Sequence, residues 1–248
     1  MQTAAMRLHT TTTGSGEHHV GLVHGLGADG ATWQPLVDRM TATGRYTVTT
    51  VDLRGHGRSE RADRYRLDDF ADDLVGALPT GLHSVVGHSL GGAVLVRAVG
   101  RLRPEQAVYL DPGFHLALPT TGLAGRLFWA VPPLTLGIAG LLQARKSAAA
   151  RAGYTPAVRQ ALADARKRFD GGMAIGVFRE VAHTPLPIAP PEVPSVVVLS
   201  DDAPAVVPDA VAARLERAGW GIRRIPGIHH DMQLEDAGRT LEAVADVL

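Results

Sequence analysis

Six short apolar runs separated by helical patterns constrain this chain more than any other feature. Residues 19–24 (HVGLVH), 46–51 (YTVTTV), 82–87 (LHSVVG), 106–110 (QAVYL), 196–199 (VVVL) and 221–225 (GIRRI) read as strands. They are four to six residues long, rich in β-branched side chains, and bounded by Gly, Asp or Pro. Helical patterns fall at 31–40, 67–78, 90–101, 208–218 and 234–247. Strands that are apolar throughout, not alternately, are covered on both faces. The pattern therefore predicts a mostly parallel α/β sheet with helices on each side.

The alternation stops between about residues 113 and 190. Helical composition follows, with Thr155-Pro156 as an N-cap and a first-turn proline. A proline-rich connector, Pro185 to Pro191, closes the stretch. The expected organisation is a core of residues 1–112 and 191–248 with a helical cap or lid inserted at 113–190. Within it, residues 127–143 form a 17-residue window without a charge, interrupted by Pro132 and Pro133. That is short for a membrane span and broken at its middle. It reads as two short buried or pocket-lining helices, with no stable membrane insertion.

The chemistry concentrates at one turn. Gly87-His88-Ser89-Leu90-Gly91-Gly92 follows the third predicted strand directly and opens a helix. A G-x-S-x-G in that setting makes a tight strand-to-helix turn with the serine at its apex. Side chains two residues to either side would clash, so both positions are Gly. The helix N-terminus then lies beneath the serine with its unpaired N–H groups.

A serine hydroxyl needs a neighbouring base, and His229-His230 lie after the last strand. The base needs an acid to orient it. Asp201-Asp202 follow the fifth predicted strand and Asp111 follows the fourth, both at the C-terminal edge of the sheet. His24-Gly25-Leu26-Gly27 ends the first predicted strand. Its Leu26 N–H, with that of Leu90, is the expected oxyanion hole. The turn Asp52 to Ser59 (DLRGHGRS) is read as structural, with Asp52 and Arg54 paired across it. No phosphate-loop pattern is present.

Composition narrows the classes further. Twenty-five basic residues balance 25 acidic ones, so nothing favours nucleic acid. No cysteine is present, which excludes disulfides, thiolate metal sites and a cysteine nucleophile, and fits a reducing compartment. The opening residues hold one arginine, Arg7, and no apolar stretch. A cytoplasmic location is expected.

Taken together, the H-G-L-G loop at 24–27, the D-L-R-G-H-G-R-S turn at 52–59, the G-H-S-L-G-G elbow at 87–92 and the late histidine before x-x-x-L-E resemble the α/β-hydrolase superfamily, in order and in spacing. The resemblance covers residues 15–112 and 191–248; the cap matches no named pattern. It implies an α/β-hydrolase fold, Ser89 as nucleophile and His230 as base, five residues before Glu235. It leaves the acid as Asp202 first, Asp111 as the alternative, Asp201 third. The sequence departs from the usual G-x-x-D pattern at Ser200-Asp201-Asp202-Ala203.

The resemblance implies a serine hydrolase acting on an ester, lactone or thioester through an acyl-enzyme, with no cofactor and no metal. The apolar cap, with Phe128 and Trp129 as pocket residues, points to a lipophilic small-molecule substrate. The alternatives are a non-hydrolytic member of the fold (acyl transfer, C–C cleavage, or a cyclase or lyase step) and a ligand-binding protein that keeps the triad. The oligomeric state is left open.

Overall fold

The computed structural model describes residues 6–116, 118–146 and 148–248. Seven strands form one sheet: β1 His9–Thr13, β2 His18–Val23, β3 Tyr46–Asp52, β4 Ser84–His88, β5 Gln106–Leu110, β6 Ser195–Leu199 and β7 Gly221–Arg224. Their order is β1-β3-β2-β4-β5-β6-β7; β1 pairs antiparallel with β3 and all other neighbours are parallel. The six anticipated strands are present with ends shifted by at most two residues. β1 was not anticipated. Its sequence, HTTTT, has no apolar residue, and as an edge strand it leaves four of its five residues exposed.

Helices α1 Gln34–Ala42, α2 Leu67–Ala77, α3 Leu90–Leu102, α9 Asp209–Arg217, α10 Met232–Glu235 and α11 Ala237–Glu242 cover the sheet. Successive strand residues point to opposite faces. Val85, Tyr109 and Val197 join Phe70 and Leu74 of α2, Leu95 of α3 and Leu215 of α9 in one core. Val86, Val108 and Val198 join Leu36 and Met40 of α1 and Val244, beyond α11, in the other. Two cores explain why these strands are apolar at every position. The helix anticipated at 234–247 is instead two short ones, because the Asp236 side chain accepts the Arg239 N–H at 3.0 Å and starts a new helix.

Between β5 and β6 lie five helices: α4 Gly122–Phe128, α5 Pro132–Lys146, α6 Ala148–Ala152, α7 Pro156–Arg168 and α8 Met173–His183. Thr155 caps α7, its hydroxyl accepting the Val158 N–H at 3.3 Å. Met173, Val177 and Val181 of α8 enter the core, and Tyr154 and Val158 pack on Leu234. The expectation of buried helices across 127–143 fails for the large aliphatics. Leu127, Val131, Leu134, Ile138, Leu141 and Leu142 are more than half exposed. None of these side chains belongs to the apolar clusters of the described residues, so they are left in solvent.

Candidate active site

The elbow sits where β4 runs into α3. Ser89 has φ +51° and ψ −114°, a left-handed conformation that a side-chain-bearing residue adopts only under constraint. The constraint comes from both sides. The Ser89 N–H donates to Leu110 O at 3.0 Å, and the Ser89 carbonyl accepts from Gly92, Ala93 and Gly113. A Cβ on Gly87 would come within 2.7 Å of Gly91 O, and one on Gly91 within 2.2 Å of Val23 O. Glycine at both positions is therefore a packing requirement.

His230 Nε2 lies 3.0 Å from Ser89 Oγ. Its Nδ1 lies 3.2 Å from Asp111 Oδ2. Asp111 is fully buried and, like Ser89, has a positive φ, +37°. Its carboxylate also accepts the Ser200 N–H at 2.8 Å on Oδ1 and the Ser200 hydroxyl on Oδ2. Burial of the imidazole opposes its charge, but the hydrogen bond and charge of Asp111, with the charges of Asp231 and Asp202, outweigh it. His230 is held above the ordinary histidine range.

The carboxylate beside His230 is thus Asp111, the alternative acid, and not Asp202. Asp202 Oδ2 instead accepts the backbone N–H of His230 at 3.3 Å. The reason is the loop: the turn after β6 begins at Ser200, whose N–H and hydroxyl bind Asp111, and Asp202 lies beyond it. Asp201 is directed away, accepting the Gly227 N–H at 2.9 Å. His229 turns toward Glu235, whose carboxylate accepts the His229 N–H at 2.9 Å and lies 3.1 Å from Nδ1.

Two positions carry the anticipated oxyanion donors. Leu90 is the first residue of α3. Leu26 follows Gly25, and a Cβ on Gly25 would lie 3.1 Å from Ser89 Cβ, so this loop runs alongside the serine. His24 fixes it. Its Nε2 accepts the Leu53 N–H at 3.0 Å, which leaves the proton on Nδ1 to donate to Gly25 O at 2.8 Å. Burial pushes His24 down to about 4, so it is neutral.

The turn after β3 is a support, without the anticipated Asp52–Arg54 pair. Asp52 accepts the N–H groups of Gly30 at 2.7 Å and Arg58 at 2.8 Å. Arg54 pairs with buried Asp73 at 2.6 Å, because α2 presents Asp69 and Asp73 to it.

Phe128 and Trp129 pack on each other, and Trp129 packs on His183 and donates to Pro119 O. Among the described contacts neither touches Ser89 or His230. Sequence reasoning missed three contributors. Ser200 binds Asp111. His88 Nε2 donates to His230 O at 2.9 Å, and Gln233 Nε2 lies 3.3 Å from His88 Nδ1. The H in G-H-S-L-G and the Q after H-H-D-M were visible, but nothing local links residues 88 and 233. Among the described residues no group of three His, Asp or Glu side chains is arranged to hold a metal ion.

Comparison with known proteins agrees with this architecture. A family model described as "Alpha/beta hydrolase family" matches residues 22–244. A pimeloyl-[acyl-carrier protein] methyl ester esterase from Proteus mirabilis is 34% identical over 91 residues, 37% of this chain and 34% of that one. A 2-(acetamidomethylene)succinate hydrolase from Mesorhizobium japonicum is 38% identical over 82 residues, 32% of this chain and 29% of that one. The match therefore spans about a third of the length of these curated relatives. Among solved structures, a hydrolase from Oleispira antarctica superposes with a TM-score of 0.75 at 18% identity, covering 99% of this chain and 96% of the other. An enol-lactonase from Burkholderia xenovorans gives 0.69 at 20% identity, covering 97% and 95%. The strand order, the elbow and the matched length together establish that this chain belongs to the α/β-hydrolase family.

Proposed function

We propose that this chain is a serine hydrolase of small-molecule esters, lactones or thioesters. The observation that carries the reading is the unbroken contact chain from Ser89 Oγ through both nitrogens of His230 to Asp111, with Ser89 on a left-handed turn. Ser89 Oγ attacks the substrate carbonyl as its proton passes to His230 Nε2. Asp111 keeps the His230 proton on Nδ1 and balances the imidazolium. The Leu26 and Leu90 N–H groups receive the negative charge that forms on the carbonyl oxygen. His230 then protonates the departing alcohol or thiol, and a water activated by the same imidazole releases the acid. No step needs a cofactor.

The relatives support acyl chemistry: one is by its name an esterase of a pimeloyl-[acyl-carrier protein] methyl ester, and a structural neighbour is an enol-lactonase. The helices between β5 and β6 form the cap in this reading, with Phe128 and Trp129 facing a lipophilic acyl group when the cap adjusts. A series of p-nitrophenyl esters from acetate to octanoate, run with wild type and Ser89→Ala, tests it. Turnover that rises with chain length and vanishes in the variant is expected. Turnover surviving in Ser89→Ala contradicts the nucleophile, and a preference for acetate contradicts the lipophilic substrate.

A further inference from the structure

The outer face of α4 and α5 carries apolar side chains with nothing on them. Leu134, Ile138 and Leu141 of α5 are spaced by four and three residues, so they form one stripe of a helix. All three are more than half exposed. Leu123 and Leu127 of α4, also four apart, are 72% and 64% exposed, and Val131 lies between the two helices. Exposed apolar side chains that follow the helical period on two successive helices mark a site of contact, since scattered exposure would not follow it.

Charge indicates what covers it. From Gly113 to Ala163 the chain has no acidic residue, while Arg126, Arg145, Lys146, Arg151 and Arg159 are basic. The chain as a whole is neutral, so this segment departs from the rest of the molecule. Arg126 lies in the last turn of α4 and Arg145 near the end of α5, both exposed, so arginines flank the apolar stripe. A second copy of this chain is a poor partner. Packed symmetrically, it would set Arg126 and Arg145 against their own copies, and the segment that carries them holds no carboxylate to pair them.

We propose that the outward face of α4 and α5 docks peripherally on the surface of an anionic lipid bilayer. The leucines and isoleucine enter the headgroup boundary, and the flanking arginines meet lipid phosphates. The geometry favours lying on the membrane over crossing it. Among the described residues no single helix is long and apolar enough to span, and Gly122–Phe128 and Pro132–Leu142 are bent by 97°. This inference stands apart from the hydrolase reading, because binding is measured without turnover.

Flotation of the full chain with vesicles tests it, using phosphatidylcholine alone and phosphatidylcholine mixed with phosphatidylglycerol, at low and high salt. Leu134→Ser/Ile138→Ser/Leu141→Ser removes the stripe, and Arg126→Gln/Arg145→Gln removes flanking charge. Circular dichroism and melting confirm that both variants fold. Sedimentation velocity of each protein reports self-association. The expected result is flotation of wild type with the anionic vesicles, weakened about tenfold or more in each variant and by salt. No flotation of wild type overturns the proposal, as does flotation that survives the stripe variant. A wild-type dimer that the stripe variant converts to monomer also overturns it, by assigning the face to a second copy.

Discussion

The backbone N–H of Ser200, at the end of β6, lies 2.8 Å from Oδ1 of Asp111, at the end of the neighbouring strand β5. This contact orients the carboxylate, because the Ser200 hydroxyl takes Oδ2 and the only other partner of that oxygen among the described residues is His230. Adjacent parallel strands thereby set the acid's position to within a hydrogen bond, and the loop carrying Asp202 is left to hold backbone.

Asp111→Asn is expected to lower kcat by on the order of 10³-fold or more, since the amide no longer fixes the tautomer that leaves Nε2 free to accept. Asp202→Asn is expected to stay within about threefold, because its carboxylate touches only the His230 N–H. Steady-state kinetics on one p-nitrophenyl ester checks both. Equal losses in the two variants would contradict the assignment.

The pH profile should follow His230. The base must be neutral to accept the serine proton, and its pKa is held above 6.5. kcat/KM should therefore rise with pH through a limb centred above 6.5. In Ser200→Ala, Asp111 keeps the backbone N–H but loses the hydroxyl, so more negative charge rests on the oxygen facing Nδ1. The limb should move to higher pH, a shift that a merely structural role would not produce.

How much of this was legible in the sequence depends on the range of the contact. Ser89 and His230 could be read because the elbow is a local strand–turn–helix pattern and the late histidine keeps a fixed distance from Glu235. The acid could not be settled, since Asp111 and Asp202 both follow strands. The choice rests on a 119-residue contact between Asp111 and His230 and on the Ser200 turn. β1 was missed because its threonines pair with Thr49 and Thr50 at the sheet edge and carry no apolar signal. Residues 127–143 were expected as buried or pocket-lining helices, and burial fails for the large aliphatics because composition alone does not say which face of a helix meets the core.

His88 ties the elbow to the histidine loop and should matter through position. Burial and the neighbouring His230 push it down to about 4, so at neutral pH it is uncharged. It then donates from Nε2 to His230 O and accepts from Gln233 at Nδ1. His88→Ala leaves the part-buried His230 carbonyl without its donor, at a cost of about 1 kcal/mol. A lower Tm and a kcat loss of about tenfold with little change in KM are expected. His88→Gln, which keeps a donor, should recover part of the kcat. Unchanged kcat in the alanine variant would contradict the role.

Three buried neutral histidines predict acid sensitivity. His24 and His88 are lowered to about 4 and His56 to about 3, in each case chiefly by burial. Below pH 6.5 the unfolded chain takes up protons at these positions and the native chain does not, so stability falls from pH 6.5 toward pH 4. His229 and His230, shifted upward, act in the opposite sense. Urea midpoints at pH 7.5 and 5 should differ by an amount on the order of a few kcal/mol of unfolding free energy. Equal midpoints would contradict the buried neutral state.

Covalent labelling reports directly whether Ser89 is activated. The protein is treated with a fluorophosphonate and the modified peptide is identified by mass spectrometry, with Asp111→Asn and Asp202→Asn in parallel. Labelling is expected at Ser89 in wild type and in Asp202→Asn, with near loss in Asp111→Asn. A folded wild-type protein that takes no label, or a label at any other residue, would contradict an activated Ser89.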